Sequence, residues 1–413
     1  MDLDKHLEIA DSKDVAEEQS IEKLMARISD EKFEALHTTP PWKVVLASLP
    51  RDKVSGAQRL LVCFTNFHSH GDGRSGLAFH NSFLAGLSEY ISQSHEKGSA
   101  AEDTMYVPPT TELLPPIEEG GKMTLSWSYL LSPLLGTYLP KSVSSFLGLR
   151  DSWLSSDLDI WRGAPTSFDP ENHTTGLQLI SLDSATKDKL LQQCRKNNST
   201  FTGTLQHLVA RSLTSPSGGA ITTSSFVAGV AIDMRHLFPG IYSPASIMNC
   251  VTGYNELITY PSSSSEPHDW ASNSASSFWE AARKTSKGLK AASGTLHNQP
   301  IGLLQYLKAF RPWTKGLVNK PRDMSFEISN LGAFKPESKE EIVIEKAVFS
   351  QPAKVSGSLL DFNAVSTPKG PLQITVTWQR GVLGLDEGIE EDAFVKRVCA
   401  KLEESFVEIA KSG

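Results

Sequence analysis

The stretch Arg59–Tyr90, RLLVCFTNFHSHGDGRSGLAFHNSFLAGLSEY, decides how the chain is read. Its first part, Leu60–Phe67, is an apolar run rich in β-branched and aromatic residues, the composition of a buried strand. A polar, glycine-punctuated turn follows, His68-Ser69-His70-Gly71-Asp72-Gly73. Phe79, Phe83, Leu84, Leu87 and Ile91 then recur at helical spacing, so an amphipathic helix is expected. A strand–turn–helix unit sets the turn at the carboxyl end of a strand, where open α/β sheets keep their ligand sites.

Two motifs overlap in this turn. In His68-x-x-x-Asp72-Gly73 the imidazole can act as a base near neutral pH. The Asp can hold the turn through a charged partner, and the Gly admits backbone conformations closed to other residues. Gly71-x-Gly73-x-x-Gly76 is the dinucleotide fingerprint in its strand-to-helix context. That fingerprint calls for a second strand ending in an acidic residue about 20 residues on. Here Ser92–Ala101 is polar and Tyr106–Pro116 holds four prolines, which argues against it. The plain structural alternative is that His68 and His70 simply close a strand end.

The chain has 413 residues, enough for two domains with a substantial core. It is 39% hydrophobic and 21% charged, a globular composition. A net charge of −7 without a long basic run argues against nucleic acid or an anionic membrane as the main partner. Cys63, Cys194, Cys250 and Cys399 are scattered and read as reduced structural thiols, which favours the cytoplasm. No apolar run approaches a membrane span, the N-terminal segment is acidic, and no metal-binding motif is present.

Along the chain, Ile21, Leu24, Met25 and Ile28 form one helical face, and Trp42–Leu49 reads as a strand beside the central one. Ser92–Glu119 reads as a long loop, and Leu125–Leu149 as helices broken at Pro133 and Pro140. Arg150–Thr175 is polar and irregular, the expected crossover between halves. The pattern then restarts. Strands are expected at Leu177–Leu182, Ser224–Met234, Ile247–Thr259, Met324–Ser329, Glu341–Phe349, Phe362–Ser366 and Pro371–Gln379, with a hairpin at Thr367-Pro-Lys-Gly370. Helices are expected at Ser184–Lys196, Phe201–Leu213, Trp270–Leu289, Ile301–Phe310 and Glu387–Ile409, and loops at Ser215–Ala220 and Pro261–Ser265. The fold class is therefore α/β, with two similar-sized mixed-sheet domains, residues 1–165 and 166–413.

FHSHGDGRSGLAFH (Phe67–His80), preceded by PPWKVV (Pro40–Val45), resembles the core of the fungal alcohol O-acetyltransferase family. AIDMRHLFP (Ala231–Pro239) is similar to that family's Asp-x-Arg segment, and ISNLG (Ile328–Gly332) to its Ser-Asn-x-Gly segment. The wider group is the CoA-dependent acyltransferases of the chloramphenicol acetyltransferase, BAHD and condensation-domain type. The resemblance implies two α/β halves with a channel between them. It makes His68 the general base that deprotonates an acceptor alcohol for attack on acyl-CoA, most simply acetyl-CoA. CoA is then a co-substrate, with no resident cofactor and no metal.

The resemblance also assigns further residues. Asn330 is a candidate oxyanion donor or a pin for its strand end, Gly73 a candidate substrate or oxyanion contact, and Ser329 and Ser356 weaker candidates. Asp72 is expected to pair with Arg235 from the other half; the alternative is a catalytic Asp72–His68 dyad. The chain departs from the family in two places. A second histidine often precedes the catalytic one, where this chain has Phe67, and a further strand and helix usually precede the segment matching Asp2-Leu3-Asp4. A monomer is expected, or an exposed apolar strip and self-association if that unit is missing. An amine acceptor, a carrier-protein donor and an inactive binding homologue remain open.

Overall fold

The computed structural model describes residues 2–11, 18–94, 107, 112–138, 143, 159–214, 221, 223–260, 273–336 and 342–412. Its strands form two mixed sheets. In the smaller, β1 (Leu7–Ile9) is parallel to β2 (Trp42–Leu49), and β2 is antiparallel to β3 (Arg59–Asn66). The larger contains β4 (Thr175–Leu182), β5 (Ser225–Asp233), β6 (Val251–Thr259), β7 (Phe326–Ala333), β8 (Leu360–Ser366) and β9 (Leu372–Gln379), in the order β4-β9-β8-β7-β5-β6. Its central strands β5, β7 and β8 are parallel, and the outer pairings are antiparallel. The helices are α1 (Glu18–Asp30), α2 (Gly73–Ser94), α3 (Ile117–Gly120), α4 (Trp127–Tyr138), α5 (Ser184–Lys196), α6 (Phe201–Thr214), α7 (Asn273–Ser293), α8 (Phe310–Lys315) and α9 (Glu391–Lys411).

Strand alternation sorts the faces of the larger sheet. Phe226, Ala228 and Val230 of β5, Phe326 and Ile328 of β7, Phe362 and Ala364 of β8, and Ile374, Val376 and Trp378 of β9 share one apolar core. Leu190 of α5, Leu205 and Leu208 of α6, Phe278 of α7, and Phe394, Val398, Leu402 and Phe406 of α9 complete it. The residues between them, Glu327 and Ser329, Asp361 and Asn363, and Gln373, Thr375, Thr377 and Gln379, occupy the other face, which is therefore polar. Where that face turns apolar at Val365, Leu77 and Leu84 of α2 pack on it with Leu331, Phe334 and Phe349.

α1 ties the two sheets together. Leu24 and Ile28 pack on Val45 and Ala47 of β2. On its other side, Glu22 accepts from the Leu179 N–H at 2.6 Å and Asp30 from the Thr175 N–H at 3.0 Å. Both donors lie on β4, the edge strand, and a bare edge invites pairing with other chains. Two carboxylates occupy it instead.

Most elements fall where the sequence pattern puts them. Among the exceptions, α4 runs from Trp127 to Tyr138 without the expected break at Pro133, α3 forms within the expected loop Ser92–Glu119, and β6 begins at Val251 and not at Ile247. Four more elements differ. Residues 342–349 join no sheet, and their burial alternates only over 342–345. Ile342, Ile344, Ala347 and Phe349 pack beside Leu84, Phe334 and Val365, so the apolar pattern of the sequence reflects packing and not a ladder. The expected helix Ile301–Phe310 is a 3₁₀ stretch, Pro300–Tyr306, and a separate α8; Pro300 and Pro312 each sit in a first turn, where proline is tolerated. β7 runs on to Ala333 through an irregularity between Asn330 and Ala333, with Gly332 at φ +75°. β1, three residues with a Glu at its centre, carries too little pattern to be seen.

The expected loops at Ser215–Ala220 and Pro261–Ser265, most of Ser92–Glu119, and most of Leu125–Leu149 beyond Tyr138 lie outside the described residues. Among the described residues no helix is long and apolar enough to cross a membrane. All four cysteines are free thiols, and burial pushes those of Cys63 and Cys250 up to about 12. In the expected crossover, Ile160 is buried and bridges to Ser225, and Trp161 packs with the larger core, its indole donating to the Leu383 carbonyl at 3.1 Å.

A buried histidine in this core sets an acid limit. Thr285 donates to Glu256 at 2.7 Å, so the His207 Nε2–H must donate to Thr285, while the Tyr260 hydroxyl donates to Nδ1. Burial pushes the His207 pKa down to about 4. The unfolded chain binds this proton near pH 6.5, so folding stability is lost as pH falls from about 6.5 towards 4. Urea unfolding at pH 7.5 and pH 4.5 should give a His207→Asn variant whose stability falls by roughly 2–3 kcal/mol less than wild type over this step.

Candidate active site

The turn between β3 and α2 is built around Asp72. Its Oδ1 accepts from the Ser75 N–H at 3.1 Å, which makes Asp72 the N-cap of α2 and satisfies one orphan donor of the first turn. The same carboxylate receives Arg235 end-on: Nη2 to Oδ1 and Nη1 to Oδ2, both at 2.9 Å. The Cys250 N–H donates to Oδ2 at 2.9 Å. Both side chains are almost fully buried, 4% exposed for Arg235 and 2% for Asp72. Parallel charged hydrogen bonds of this kind fix orientation as well as charge.

Arg235 follows β5 and draws further partners inward. It also donates to Asp233 Oδ1 at 2.8 Å and to the Met248 carbonyl at 2.9 Å. Burial opposes its charge, but Asp72 and Asp233 more than offset this and hold its pKa above the ordinary value. Ser75 meets the same loop, its Oγ lying 3.1 Å from both the N–H and the carbonyl of Met248. The loop 246–250 is thereby fastened to the turn, and Asn249 donates to the main-chain carbonyl of His68 at 3.3 Å.

The glycines of the turn are needed for space. Gly73 does not adopt a left-handed φ, contrary to the backbone freedom expected of it. A Cβ there would lie 2.7 Å from Leu331 and 2.9 Å from Phe349, so Gly73 lets the start of α2 approach the end of β7. At Gly71 a Cβ would lie 2.8 Å from the Asn66 amide. Nor does the turn form a dinucleotide site. Asp72 already occupies the helix N-terminus where a phosphate would sit, and β3 pairs only with antiparallel β2 among the described residues.

His68 stands in the exposed turn just beyond β3. Its Nε2 lies 3.3 Å from Oε1 of Gln351, in the segment that precedes β8. Asp72 is turned away: both its oxygens are taken by Arg235, Ser75 and Cys250, so the structure has no Asp72–His68 dyad. His70 instead bonds within its own turn, to Ser69 at 2.9 Å. Phe67 is half-exposed, beside Phe33 and His70.

Asn330 is held elsewhere. Its amide donates to Thr202 at 3.0 Å and its oxygen accepts from the Gly332 N–H at 2.9 Å, so it pins the irregularity in β7. It also lines a cavity of about 490 Å³ between β5, β7 and the facing parts of α6 and α7, with Thr200, Thr202, Ser286, Lys287 and Lys290. Ser329 lies on the polar face of β7 opposite Asn363, and Ser356 in the bend before β8; neither bonds to His68. Among the described residues no group of three or more His, Cys, Asp and Glu side chains could hold a metal ion.

The alcohol acetyltransferase family model matches residues 8–403. The chain belongs to the alcohol acetyltransferase family. A probable alcohol acetyltransferase of Fusarium pseudograminearum, FCK4, is 25% identical over 411 residues, covering 95% of this chain and 77% of that protein. A second, crmB of Aspergillus fumigatus, is 24% identical over 370 residues, covering 87% of this chain and 71% of that protein. In fold, the chain is similar to the trichothecene 15-O-acetyltransferase TRI3 of Fusarium sporotrichioides, with a TM-score of 0.57 at 12% identity over 97% of this chain and 76% of that one. It is also similar to SgcC5 of Streptomyces globisporus, with a TM-score of 0.53 at 14% identity over 97% and 80%. The protein is thus an acyltransferase of the family whose reaction carries an acyl group to an alcohol.

Sequence reasoning singled out His68, Asp72 and Arg235 but missed Ser75, Gln351 and the loop 246–250. Ser75 carried a usable signal, since Asp72-x-x-Ser75 at a helix start is a capping spacing. Gln351 and Met248 carried none. Removing one partner of the buried pair strands a charge: Asp72→Ala and Arg235→Ala should each cost about 3–5 kcal/mol in chemical denaturation. The double variant should lose clearly less than their sum.

Proposed function

We propose that this acyltransferase moves an acyl group, acetyl in the first instance, from CoA to the hydroxyl of a small molecule, with His68 as the general base. The observation that carries this reading is the division of labour in the turn. Asp72 is fully engaged by Arg235, Ser75 and the Cys250 N–H, while the His68 ring stands in the exposed turn against an uncharged partner, Gln351. Asp72 is thus committed to holding the turn, and the His68 ring stays accessible to an acceptor hydroxyl.

In the proposed reaction the acceptor oxygen attacks the thioester carbonyl carbon as its proton passes to His68. The tetrahedral intermediate collapses, the carbon–sulfur bond breaks, and the imidazolium returns the proton to the CoA thiolate. One positioned base contributes on the order of 10²–10⁴-fold. Asn330 is not assigned the oxyanion, because its amide already serves Thr202. The cavity beside it, with Lys287, Lys290 and several hydroxyls, has the chemistry to accept a polar, anionic chain such as that of CoA. CoA is a co-substrate here, and the reading invokes no resident cofactor or metal. Free, largely buried cysteines suit an enzyme of the cytoplasm.

Thiol release from acetyl-CoA across a panel of alcohols tests the reading. His68→Ala should lower turnover by about 10²-fold or more. His70→Ala, whose ring serves only its own turn, should retain most of it. Equal losses in the two variants, or full activity in His68→Ala, would remove His68 as the base. Release with amines but not with alcohols would reassign the acceptor.

A further inference from the structure

We infer that the exposed basic and aromatic segment Ile301–Lys320, with the start of α4 beside it, is a docking surface for an anionic membrane. Docking of this kind is independent of which residue acts as the base.

Charge sets this segment apart. The chain carries a net charge of −7, yet no Asp or Glu occurs between Glu280 and Asp323, a stretch that holds nine Lys and Arg residues. An asymmetry of this size is a local signal that the overall sum conceals. Elsewhere Arg27 pairs with Glu8, Arg59 with Glu345 and Arg380 with Asp392. Lys308, Arg311 and Lys315 are exposed and join no ion pair among the described residues. Aromatic side chains stand among these charges. Tyr306, Phe310 and Trp313 are 60%, 59% and 48% exposed. Phe310 and Trp313 lie three residues apart in α8 and share one face, their ring centroids 5.7 Å apart. Arg311 and Lys315, four residues apart, lie on the adjoining face.

The start of α4 extends the apolar surface. Trp127 is 77% exposed and Leu131, one turn on, 42%. The Ser126 N–H donates to Asn298 Oδ1 at 2.8 Å, and a Cβ on Gly302 would lie 3.4 Å from the Leu125 side chain, so α4 begins beside the segment. Exposed aromatic rings beside long basic side chains are the composition of a headgroup boundary. Tyr and Trp rings settle at the headgroup level, the apolar face enters the acyl boundary, and Lys and Arg stems reach back to anionic headgroups. Attachment to one leaflet needs no spanning helix. The segment is also joined to the turn that carries His68. Ile301 packs with Met234, Phe238, Met248 and Cys250, the Met248 carbonyl accepts from Arg235, and Asn249 holds the His68 main chain. An acyltransferase held at a membrane meets alcohols that partition into lipid.

Flotation of the full chain with lipid vesicles tests this. Vesicles of phosphatidylcholine with about one-third phosphatidylserine should carry the protein, those of phosphatidylcholine alone should carry far less, and raised salt should release it. Arg311→Gln with Lys315→Gln should weaken binding about 10- to 30-fold, at about fivefold per charge removed. Phe310→Ser with Trp313→Ser should weaken it about 10-fold or more. All four side chains are exposed, so both double variants should keep the wild-type melting temperature and the thiol release seen with a water-soluble alcohol. If the aromatic pair fails to fold, the charge pair still decides. No flotation of the wild type, or binding that the variants retain, would overturn the inference. So would capture by polyglutamate without flotation, which assigns the face to an acidic protein, or a dimer lost in Phe310→Ser with Trp313→Ser without flotation, which assigns it to a second copy. A chain that floats but releases no thiol would leave the docking surface standing and count against the acyl-transfer reading alone.

Discussion

The structure depends on a pair of charges removed from water. Asp72 and Arg235 come from segments 163 residues apart and meet with two bonds of 2.9 Å where almost nothing is exposed. Neither could stand there alone, because an isolated buried charge is strongly destabilising. Their meeting fixes the start of α2 against the end of β5 and draws in the loop 246–250. That loop in turn holds the main chain of His68. The role of Asp72 in the turn is therefore to anchor it.

The larger sheet supplies the other half of the constraint. Its helix-covered face is an ordinary apolar core, but the opposite face carries Asp361, Asn363, Thr375 and Gln379 in buried positions. Buried polar groups need partners: Gln379 finds them in Arg322 and the Ser167 carbonyl, and Asp361, Asn363 and Thr375 in the segment 349–358 that crosses the sheet without joining it. Phe349 and Gln351 belong to that segment. It is pressed close to the turn because Gly73 leaves room for Leu331 and Phe349. The contact between His68 and Gln351 follows from this approach of the two halves.

Much of the architecture was legible before any coordinates. Periods of two and of 3.6 persist across strands and helices whose faces are uniformly buried, so Trp42–Leu49 and Ser184–Lys196 appear in the structure with the same bounds as in the sequence reading. The failures share a cause. The segment 342–349 has strand-like alternation, but alternation records burial and is silent on hydrogen bonding. Asn330 sits in a recognisable family segment, yet its role was decided by Thr202, which the sequence places 128 residues away.

The sequence by itself determined the kinds of elements, the His68–Asp72 turn and, through resemblance, the partner of Asp72. Those are consequences of local periodicity, of turn chemistry and of motifs that stay together in the chain. Only the tertiary structure decided that Gly73 serves space and not backbone freedom, that Ser75 and the Cys250 N–H complete the Asp72 site, and that Gln351 faces His68. Each of these depends on atoms brought within about 3 Å by packing between distant segments. No spacing in the chain records such contacts.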